Sequence, residues 1–441
     1  MNDRVLIAGT NSGCGKTTVT CALLQALRRR GVPLRSYKCG PDYIDPMFHR
    51  EVIGVPAANL DPFFMDGEAL CRHLGRARGC VAVAEGVMGY YDGIGAEGRC
   101  STHTVAQRTQ TPVILLVNAG GSYTSAMAVV QGFRDFRPDS NIRGVIFNNV
   151  SPMVYAGLKY MAEDAGVMPL GCLPRRDDVF VGSRHLGLLT AGEVTDLRQK
   201  LETLGAMAEE HLDLDGILAL ASSAPALPSP LPVPEPKRRV RIAVARDEAF
   251  CFLYEENLQL LSSLGAELVF FSPLHDRALP ENVGGLYLPG GYPELHTAEL
   301  SANPIRREIA AAIRAGLPTV AECGGFLYLH EALEGAPMAE VIHADAHRTE
   351  RLQRFGYVTL TAGRDNLLCP AGTSFPAHEF HYYDSGDNGA DFTAEKPDGR
   401  RSWPCVHATP TLWAGFPHLY LPAAPELAER WVRKAADYAC L

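Results

Sequence analysis

The sequence RVLIAGTNSGCGKTTVTCALLQALRRR, residues 4–30, decides the fold of the N-terminal half. It starts as a β-type apolar run, passes through a glycine-rich turn and continues with helical apolar spacing that ends at Gly31. Further strand-like runs lie at residues 34–39, 80–86, 111–119 and 142–150. Continuous Val/Ile/Leu runs that alternate with helical patterns predict an α/β fold, with a parallel sheet covered on both faces.

The chain of 441 residues is too long for one ordinary core and divides at a proline-rich segment. Residues 221–238, ASSAPALPSPLPVPEPKR, have no apolar periodicity and predict an extended linker between residues 1–220 and 239–441. The C-terminal part has strand-like runs and one helical run, which predict a second, smaller doubly wound α/β domain. These runs lie at residues 239–247, 258–266, 267–273, 284–291 and 317–322.

Composition limits the class of protein. A hydrophobic content of 46% with 21% charged residues is typical of a globular chain and not of a disordered one. Without a signal peptide or an apolar stretch of ~20 residues, we expect a cytoplasmic protein without a membrane partner. Twelve cysteines without paired C-x-x-C spacing argue for reduced thiols, and the net charge of −9 argues against a nucleic-acid partner.

The turn GTNSGCGKTT, residues 9–18, has the composition of a phosphate-binding loop. Its glycines allow backbone N–H groups to point at phosphates, and the following helix adds its positive end. The strict pattern places a glycine at residue 10, whereas this chain has Thr10 and a glycine one position earlier. We expect Lys16 to reach the β- and γ-phosphates of ATP and Thr17 to hold Mg²⁺. The predicted ATP-binding residues are Thr10, Asn11, Ser12, Gly13, Gly15, Lys16, Thr17 and Thr18.

Two segments at predicted strand ends supply carboxylates for the metal. YKCGPDYIDP, residues 37–46, contains Asp42 and Asp45, and VAEGVMGYYDG, residues 83–93, contains Glu85. Ligands bind at the carboxyl edge of parallel strands, so Mg²⁺ is expected at these three acids and Thr17. The alternative is that the two aspartates only cap turns.

A cysteine in VAECGGF, residues 320–326, lies between a strand and a helix. A thiol attacks as the thiolate, which a helix N-terminus favours, and the strand–Cys–helix turn is the geometry of a nucleophile elbow. Gly324 and Gly325 would relieve crowding around Cys323, which predicts a nucleophile. The alternative is a buried structural cysteine.

A nucleophilic thiol needs a base and an oxyanion site. The backbone N–H groups of Gly290, Gly291 and Gly324 are the predicted oxyanion donors. Fourteen histidines compete for the role of base. His418 is preferred, with His381 next and His378 and His407 behind it, although residue chemistry alone does not decide among them.

The C-terminal half resembles the class I glutamine amidotransferases, which release ammonia from glutamine and have a flavodoxin-like fold. PGGYPE would be the oxyanion loop, ECGG the elbow with Cys323, and His418 the base. Such domains usually carry an acid two residues after the histidine, where this chain has Tyr420. The resemblance therefore implies a Cys–His dyad.

The N-terminal half resembles the dethiobiotin-synthetase-like P-loop group, in which GT-x-S-x-x-GKT binds ATP. The strings KCGPDYIDPMFH, NLDPFF, EGVMGYYDG, RHLGL and HEFHYYDS make the whole chain similar to the cobyrinate/hydrogenobyrinate a,c-diamide synthase family. Two departures are a missing proline before Arg184 and the ending GFPHLYL. The family amidates two acetate side chains of a polycarboxylate corrinoid, using ATP and L-glutamine, through acyl phosphates.

The resemblance implies a polyanionic tetrapyrrole substrate, and it does not decide among cobyrinate, hydrogenobyrinate and nickel-sirohydrochlorin. It is also compatible with a homodimer. A rival of another class, a P-loop switch ATPase of the partition type, accounts for GKTT but leaves Cys323 and His418 without a role. Arg175 and Arg176 are further basic candidates, unless they form ordinary solvated surface. The implied substrate-binding residues are Lys38, Tyr43, Asp92, Arg184 and His185.

Overall fold

The computed structural model describes residues 2–176, 191–228 and 239–440. The chain divides into two compact units, residues 1–231 and 232–441. A helix that ends at Ser222 occupies the first two residues of the predicted linker, 221–238. None of the helices in the described ranges is long and apolar enough to cross a membrane.

The first unit consists of seven strands and eight helices in its described part. The strands are β1 Arg4–Gly9, β2 Leu34–Cys39, β3 Ala57–Leu60, β4 Val81–Glu85, β5 Val113–Asn118, β6 Ile142–Asn148 and β7 Met168–Leu173. The helices are α1 Lys16–Arg29, α2 Ile44–Phe48, α3 Gly67–Leu74, α4 Thr102–Thr109, α5 Thr124–Asp135, α6 Pro152–Asp164, α7 Ala191–His211 and α8 Leu214–Ser222.

The seven strands form one parallel sheet in the order β3-β2-β4-β1-β5-β6-β7. Along β1, Val5 and Ile7 join the apolar core formed with α1, α7 and α8, while Leu6 and Ala8 are buried on the opposite face. The predicted parallel sheet with both faces covered is therefore confirmed. The order also places β4 between β1 and β2, so the segments that follow these three strands meet at one edge.

The second unit has more strands than its sequence pattern predicted. The strands are β8 Val240–Ala245, β9 Ala266–Phe271, β10 Gly285–Leu288, β11 Thr319–Glu322, β12 His330–Leu333, β13 Ala336–Pro337, β14 Ile342–Arg348, β15 Arg354–Ala362, β16 Ser374–His381, β17 Tyr383–Ser385, β18 Phe392–Glu395, β19 Ser402–Cys405, β20 His407–Ala408, β21 Leu412–Gly415 and β22 His418–Leu419. The helices are α9 Glu255–Ser263, α10 Thr297–Ala302, α11 Ile305–Arg314, α12 Gly324–Tyr328 and α13 Pro425–Ala439.

A six-stranded sheet in the order β20-β21-β11-β10-β8-β9 forms the centre of this unit, and only β20 runs antiparallel to its neighbour. Ile242 and Val244 of β8 face one apolar core, and Ala243 and Ala245 face another. The predicted doubly wound domain is thus confirmed.

Two further sheets complete the second unit. One has the order β19-β18-β15-β16-β22 and is antiparallel, and the other has the order β13-β12-β14-β17. The antiparallel sheet matters for function, because its edge strand β22 begins at His418 and pairs this residue with His378 of β16. The candidate base therefore belongs to a different sheet from the candidate nucleophile.

Candidate active sites

The phosphate-loop candidate closes tightly on the end of β1. A Cβ atom at Gly9 would lie 2.4 Å from the Cys14 sulfur and 2.9 Å from Lys16 Cδ, so a side chain at this position would displace those of Cys14 and Lys16. Gly13 and Gly15 have φ angles of +83° and +100°, a region that glycine adopts at little cost. The displaced glycine therefore has a packing reason, since the loop folds back against the strand end.

Asn148 at the end of β6 supports the same loop, a role that the sequence did not suggest. Its side-chain amide donates to the Cys14 carbonyl at 3.0 Å. A Cβ atom at Gly15 would come within 2.2 Å of that amide, so the two residues pack in direct contact. Asn148 follows an apolar strand, which was the available signal for a residue at the ligand-binding edge.

The ammonium group of Lys16 lies at the centre of the loop. It donates to the carbonyl of Asn11 at 3.0 Å and to that of Met88 at 2.6 Å. Burial lowers the pKa of Lys16. Thr10 donates to the Asn11 side chain, whose amide in turn donates to the carbonyl of Ser12.

A buried ionic cluster, which we call the Lys38 cluster, lies where β2 and β4 end and consists of Lys38, Asp45, Glu85 and Thr17. The Lys38 ammonium is 2.6 Å from Glu85 Oε1 and 2.5 Å from Asp45 Oδ2. The Thr17 hydroxyl donates to the same Glu85 oxygen at 2.8 Å. Parallel pairing of β2 with β4 sets Lys38 directly opposite Glu85, so sheet register assembles the cluster.

The charged groups in this cluster shift one another's pKa values. Burial acts to lower the pKa of Lys38, but the Glu85 and Asp45 carboxylates outweigh it and raise that pKa well above its usual value. Burial alone would raise the pKa of Asp45, yet the Lys38 ammonium holds it below the usual range. For Glu85 burial prevails over Lys38, and the pKa rises to about 7.

These placements differ in part from the predicted roles. Lys38 was expected to contact substrate, but its ammonium bridges two of the predicted metal ligands. Asp42 Oδ1 accepts from the backbone N–H groups of Ile44 and Asp45, which is the turn-capping alternative. Burial and the neighbouring Asp45 raise the pKa of Asp42 to about 6.

Two of the other predicted substrate residues lie in loops after β2 and β4, and two fall outside the described ranges. Asp92 is exposed, and its carboxylate accepts from the Gly89 N–H at 3.0 Å, which shapes the loop after β4. Tyr43 directly precedes α2. Arg184 and His185 fall between residues 177 and 190, outside the described part of the chain.

In the second unit, Cys323 occupies the turn between β11 and α12. Its φ of +45° and ψ of −101° are unusual for a residue with a side chain, as expected of a nucleophile elbow. A Cβ atom at Gly325 would lie 2.1 Å from the Leu288 carbonyl, so the second residue after Cys323 has no space for a side chain. The cysteine is 7% exposed.

The three glycines predicted as oxyanion donors lie together beside this elbow. A Cβ atom at Gly324 would come 2.9 Å from the backbone nitrogen of Gly291. At Gly290 it would come 2.5 Å from Cε1 of His418, so the glycine loop contacts the imidazole directly. Phe252 donates its backbone N–H to the Gly290 carbonyl at 3.0 Å and thereby fixes the loop.

His418 is buried and shares a hydrogen bond with the Cys323 thiol. Its Nδ1 lies 3.7 Å from Oε2 of Glu322. Burial acts to lower the pKa of His418, but the Cys323 sulfur and the Glu322 carboxylate outweigh it and raise this pKa to about 9. At neutral pH the raised pKa keeps the His418 imidazole protonated beside the Cys323 sulfur.

The three competing histidines make other contacts, one of them with His418 itself. The His378 ring stacks on His418 with centroids 4.9 Å apart, and burial holds its pKa well below the usual range. His381 stacks on Phe416, and burial lowers its pKa to about 4. His407 lies 3.0 Å from the Asp387 carbonyl.

Glu322 was overlooked by the sequence reasoning, although it stands immediately before the candidate nucleophile. Its side chain is 1% exposed and accepts from the Tyr287 hydroxyl at 3.1 Å through Oε1. The sequence signal was a carboxylate at the end of an apolar strand, the same signal that pointed to Glu85.

Comparisons with known proteins cover both units. Residues 5–188 match the family described as "CobQ/CobB/MinD/ParA nucleotide binding domain", and residues 241–421 match the "CobB/CobQ-like glutamine amidotransferase domain". A protein of Salmonella typhimurium named cobyrinate a,c-diamide synthase is 39% identical over 458 residues, covering 98% of this chain and 97% of the relative. A protein of the same name from Dehalococcoides mccartyi is 37% identical, covering 99% of this chain and 98% of the relative. Another from Thermoplasma volcanium is 40% identical, covering 86% of this chain and 85% of the relative.

Proposed function

The chain belongs to the cobyrinate a,c-diamide synthase family, and we propose that it amidates the a- and c-acetate carboxylates of cobyrinic acid with ATP and glutamine. It is a carbon–nitrogen ligase with a nucleotide-binding domain and a glutamine amidotransferase domain. The supporting observation is that one chain carries a phosphate loop around Lys16 and a Cys323–His418 pair at a nucleophile elbow. Each site alone would fit many reactions, whereas together they fit glutamine-dependent amidation.

The second unit would produce ammonia. The Cys323 thiolate attacks the side-chain amide carbon of glutamine, and backbone N–H groups of the glycine loop stabilise the resulting oxyanion. Protonated His418 gives its proton to the departing nitrogen, which leaves as ammonia and a thioester remains. Water then attacks the thioester while His418 takes up a proton, which releases glutamate and restores the thiolate.

The first unit would activate the acceptor carboxylate. A carboxylate resists ammonia, because its carbon is a poor electrophile and its oxygen a poor leaving group. Attack of a substrate carboxylate oxygen on the γ-phosphorus of ATP forms an acyl phosphate and releases ADP. Ammonia then forms the amide and displaces phosphate. Lys16 and the loop N–H groups would stabilise the phosphoryl group during transfer.

We propose that a magnesium ion carried with ATP binds at the Lys38 cluster and at Asp42. In the described part of the chain, no group of three or more His, Cys, Asp or Glu side chains is already arranged to hold a metal ion, so phosphate oxygens would complete the site. The Thr17 hydroxyl and the carboxylates of Glu85, Asp45 and Asp42 offer the oxygen donors that Mg²⁺ prefers. Among the described residues, Glu85 Oε2 is buried without a hydrogen-bond partner, which favours a cationic neighbour there. The ion would neutralise phosphate charge when bound. The Lys38 ammonium already balances two of these acids and would share them with the ion.

Several groups would serve the polyanionic substrate. The chain has a net charge of −9, so basic groups near the acceptor site have to offset repulsion. Arg184 and His185 are proposed for this role on the strength of the family resemblance. Tyr43 and Asp92 are proposed to orient the acceptor, because they stand in segments that follow β2 and β4.

Loss of the proposed nucleophile separates the two half-reactions. In Cys323→Ala we expect glutamine hydrolysis to be lost while amidation with added ammonia persists. Cys440→Ala, which removes an exposed thiol of the same unit, is the matched control and should behave as the wild type. Survival of glutamine hydrolysis in Cys323→Ala would exclude this cysteine as the nucleophile.

The phosphate loop is tested in the same assay. Lys16→Ala should stop amidation from either nitrogen source, whereas Lys159→Ala, at an exposed lysine of the same unit, should not. Product masses from cobyrinate, hydrogenobyrinate and nickel-sirohydrochlorin, each with ATP and glutamine, identify the acceptor. Absence of any amide product from cobyrinate would refute the proposed substrate. The assays with hydrogenobyrinate and nickel-sirohydrochlorin would then test the reaction type.

A further inference from the structure

We propose that Glu322 is a positioning residue of the glutaminase site, the acid that orients His418 and balances its charge. This inference rests on the proposed roles of Cys323 and His418. Class I amidotransferase domains usually supply such an acid two residues after the histidine, but this chain has Tyr420 there, a buried residue whose ring packs on Tyr254. The acid in this chain comes instead from the strand that carries the nucleophile.

The hydrogen bonds of Glu322 direct one of its oxygens at His418. The Tyr287 hydroxyl donates to Oε1 at 3.1 Å. The backbone N–H of Leu419, the residue after the imidazole, also stabilises the charge of this carboxylate. Oε2 lies 3.7 Å from His418 Nδ1, within ion-pair distance. The acid is thus tied both to the imidazole and to the backbone that carries it.

Neighbouring elements hold this arrangement in place. The Asn257 side chain donates to the Leu419 carbonyl at 2.8 Å and accepts from the Leu421 N–H at 2.8 Å, which clamps the chain on the far side of His418. Its amide also lies 3.5 Å from the Tyr287 hydroxyl. A connected network therefore runs from α9 through β10 to the end of β11.

The electrostatic surroundings favour a role for the charge. Buried carboxylates are costly unless they are paired, and burial does raise the pKa of Glu322, against the opposing effect of His418. Glu322 and the Cys323 sulfur both stabilise the imidazolium form of His418. His378 stacks on the ring from β16, and its low pKa leaves it neutral at physiological pH. The titratable groups around His418 are Cys323, Glu322, Tyr287, His378, Glu379 and His381.

The experiment is the pH dependence of kcat/KM for glutamine hydrolysis, which reports ionisations of the free enzyme. In the wild type the basic limb should lie at about pH 9, because the raised pKa keeps His418 protonated until then. Glu322→Gln keeps the shape of the side chain and removes the charge. Glu322→Gln should move the basic limb of the profile to lower pH by about 1 to 3 units, so the variant should lose more activity as the pH rises.

Glu322→Asp tests whether the charge is what matters. It retains the carboxylate one methylene further from the imidazole, so its basic limb should lie between those of the wild type and Glu322→Gln. Circular dichroism checks the fold of each variant. If Glu322→Gln does not fold, the profile of Glu322→Asp is the test. A basic limb at lower pH than in the wild type supports the proposal, and a basic limb at the same pH refutes it.

Three results distinguish the hypotheses. A profile of Glu322→Gln that overlays the wild type would overturn the role of Glu322. A uniform loss at every pH, with the limb unmoved and no recovery in Glu322→Asp, would reveal a structural role and would also overturn it. Absence of glutamine hydrolysis in the wild type, by contrast, would refute the proposed function itself.

Discussion

Gly290→Ala should impair glutamine hydrolysis by displacing one side chain. A Cβ atom at this position would lie 2.5 Å from Cε1 of His418. Carbon atoms in favourable contact lie ~3.5–4.0 Å apart, so the imidazole would have to retreat by about 1 Å. Such a shift moves it relative to Cys323, and misplacement of a catalytic group by about 1 Å can cost about 100-fold in rate. We expect a loss of that order in kcat/KM for glutamine.

The assay compares glutamine hydrolysis with ammonia-dependent amidation in the same preparation. Because the added methyl group lies in the second unit, amidation with free ammonia should persist in Gly290→Ala. Gly386→Ala is the matched control, since its new Cβ atom would meet its nearest neighbour, Ala344 Cβ, at 3.6 Å, an ordinary contact. It should retain glutamine hydrolysis.

Two results would contradict this reasoning. Wild-type glutamine hydrolysis in Gly290→Ala would show that His418 tolerates the displacement or has no part in the rate. An equal loss in Gly386→Ala would show that any added methyl group in this unit is harmful. In either case the contact between the glycine loop and the imidazole would not explain the requirement for glycine at residue 290.

Three further predictions concern the supporting residues. Lys38→Met leaves two buried carboxylates without their ammonium and should lower the free energy of unfolding by about 3–5 kcal/mol. In urea unfolding this loss should be larger at alkaline than at acidic pH, because protonation of the carboxylates at acidic pH relieves their repulsion. Asn148→Ala removes the support of the Cys14 carbonyl and should weaken ATP binding about fivefold, for a hydrogen bond of about 1 kcal/mol, in a nucleotide titration. Tyr287→Phe removes the donor to Glu322 and should lower glutamine hydrolysis by a similar factor, measured as kcat/KM.

Local patterns predicted most strands of the two central sheets and both loops, but not the strands β3, β7, β20 and β21. The apolar run of β1 and the helical spacing of α1 specify their own conformations, because both depend on residues close in sequence. The elbow at Cys323 was likewise predictable from a strand, a cysteine and two glycines in direct succession. Family resemblance then connected the two halves to one reaction.

Features that depend on distant residues could not be derived in this way. The choice of His418 among fourteen histidines follows from the pairing of β22 with β16 and from contact with Gly290, neither of which is visible locally. The antiparallel sheet was overlooked, although β15 carries a local signal, the alternation of buried Val358, Leu360 and Ala362 with two threonines. Asn148 contacts a residue 134 positions away.

Sequence reasoning predicted Lys38 as a counter-charge for the substrate and did not reveal its pairing with two carboxylates. Lysine in a segment after a strand suggests a counter-charge for an anion. Register across the parallel sheet instead places it opposite Glu85, and the turn that follows brings Asp45 to its other side. Burial makes this pairing necessary, since a single charge of either sign would be costly there.

The hydrogen bond from Lys16 to the Met88 carbonyl has a consequence for substrate binding. It joins the phosphate loop to the loop after β4, in which Gly89 donates to Asp92. A nucleotide phosphate that binds Lys16 competes with this carbonyl for the ammonium, so nucleotide binding and the conformation of the acid-bearing loop are expected to be thermodynamically coupled. We expect the affinity for the carboxylate substrate, measured by titration with and without nucleotide, to depend on whether nucleotide is bound.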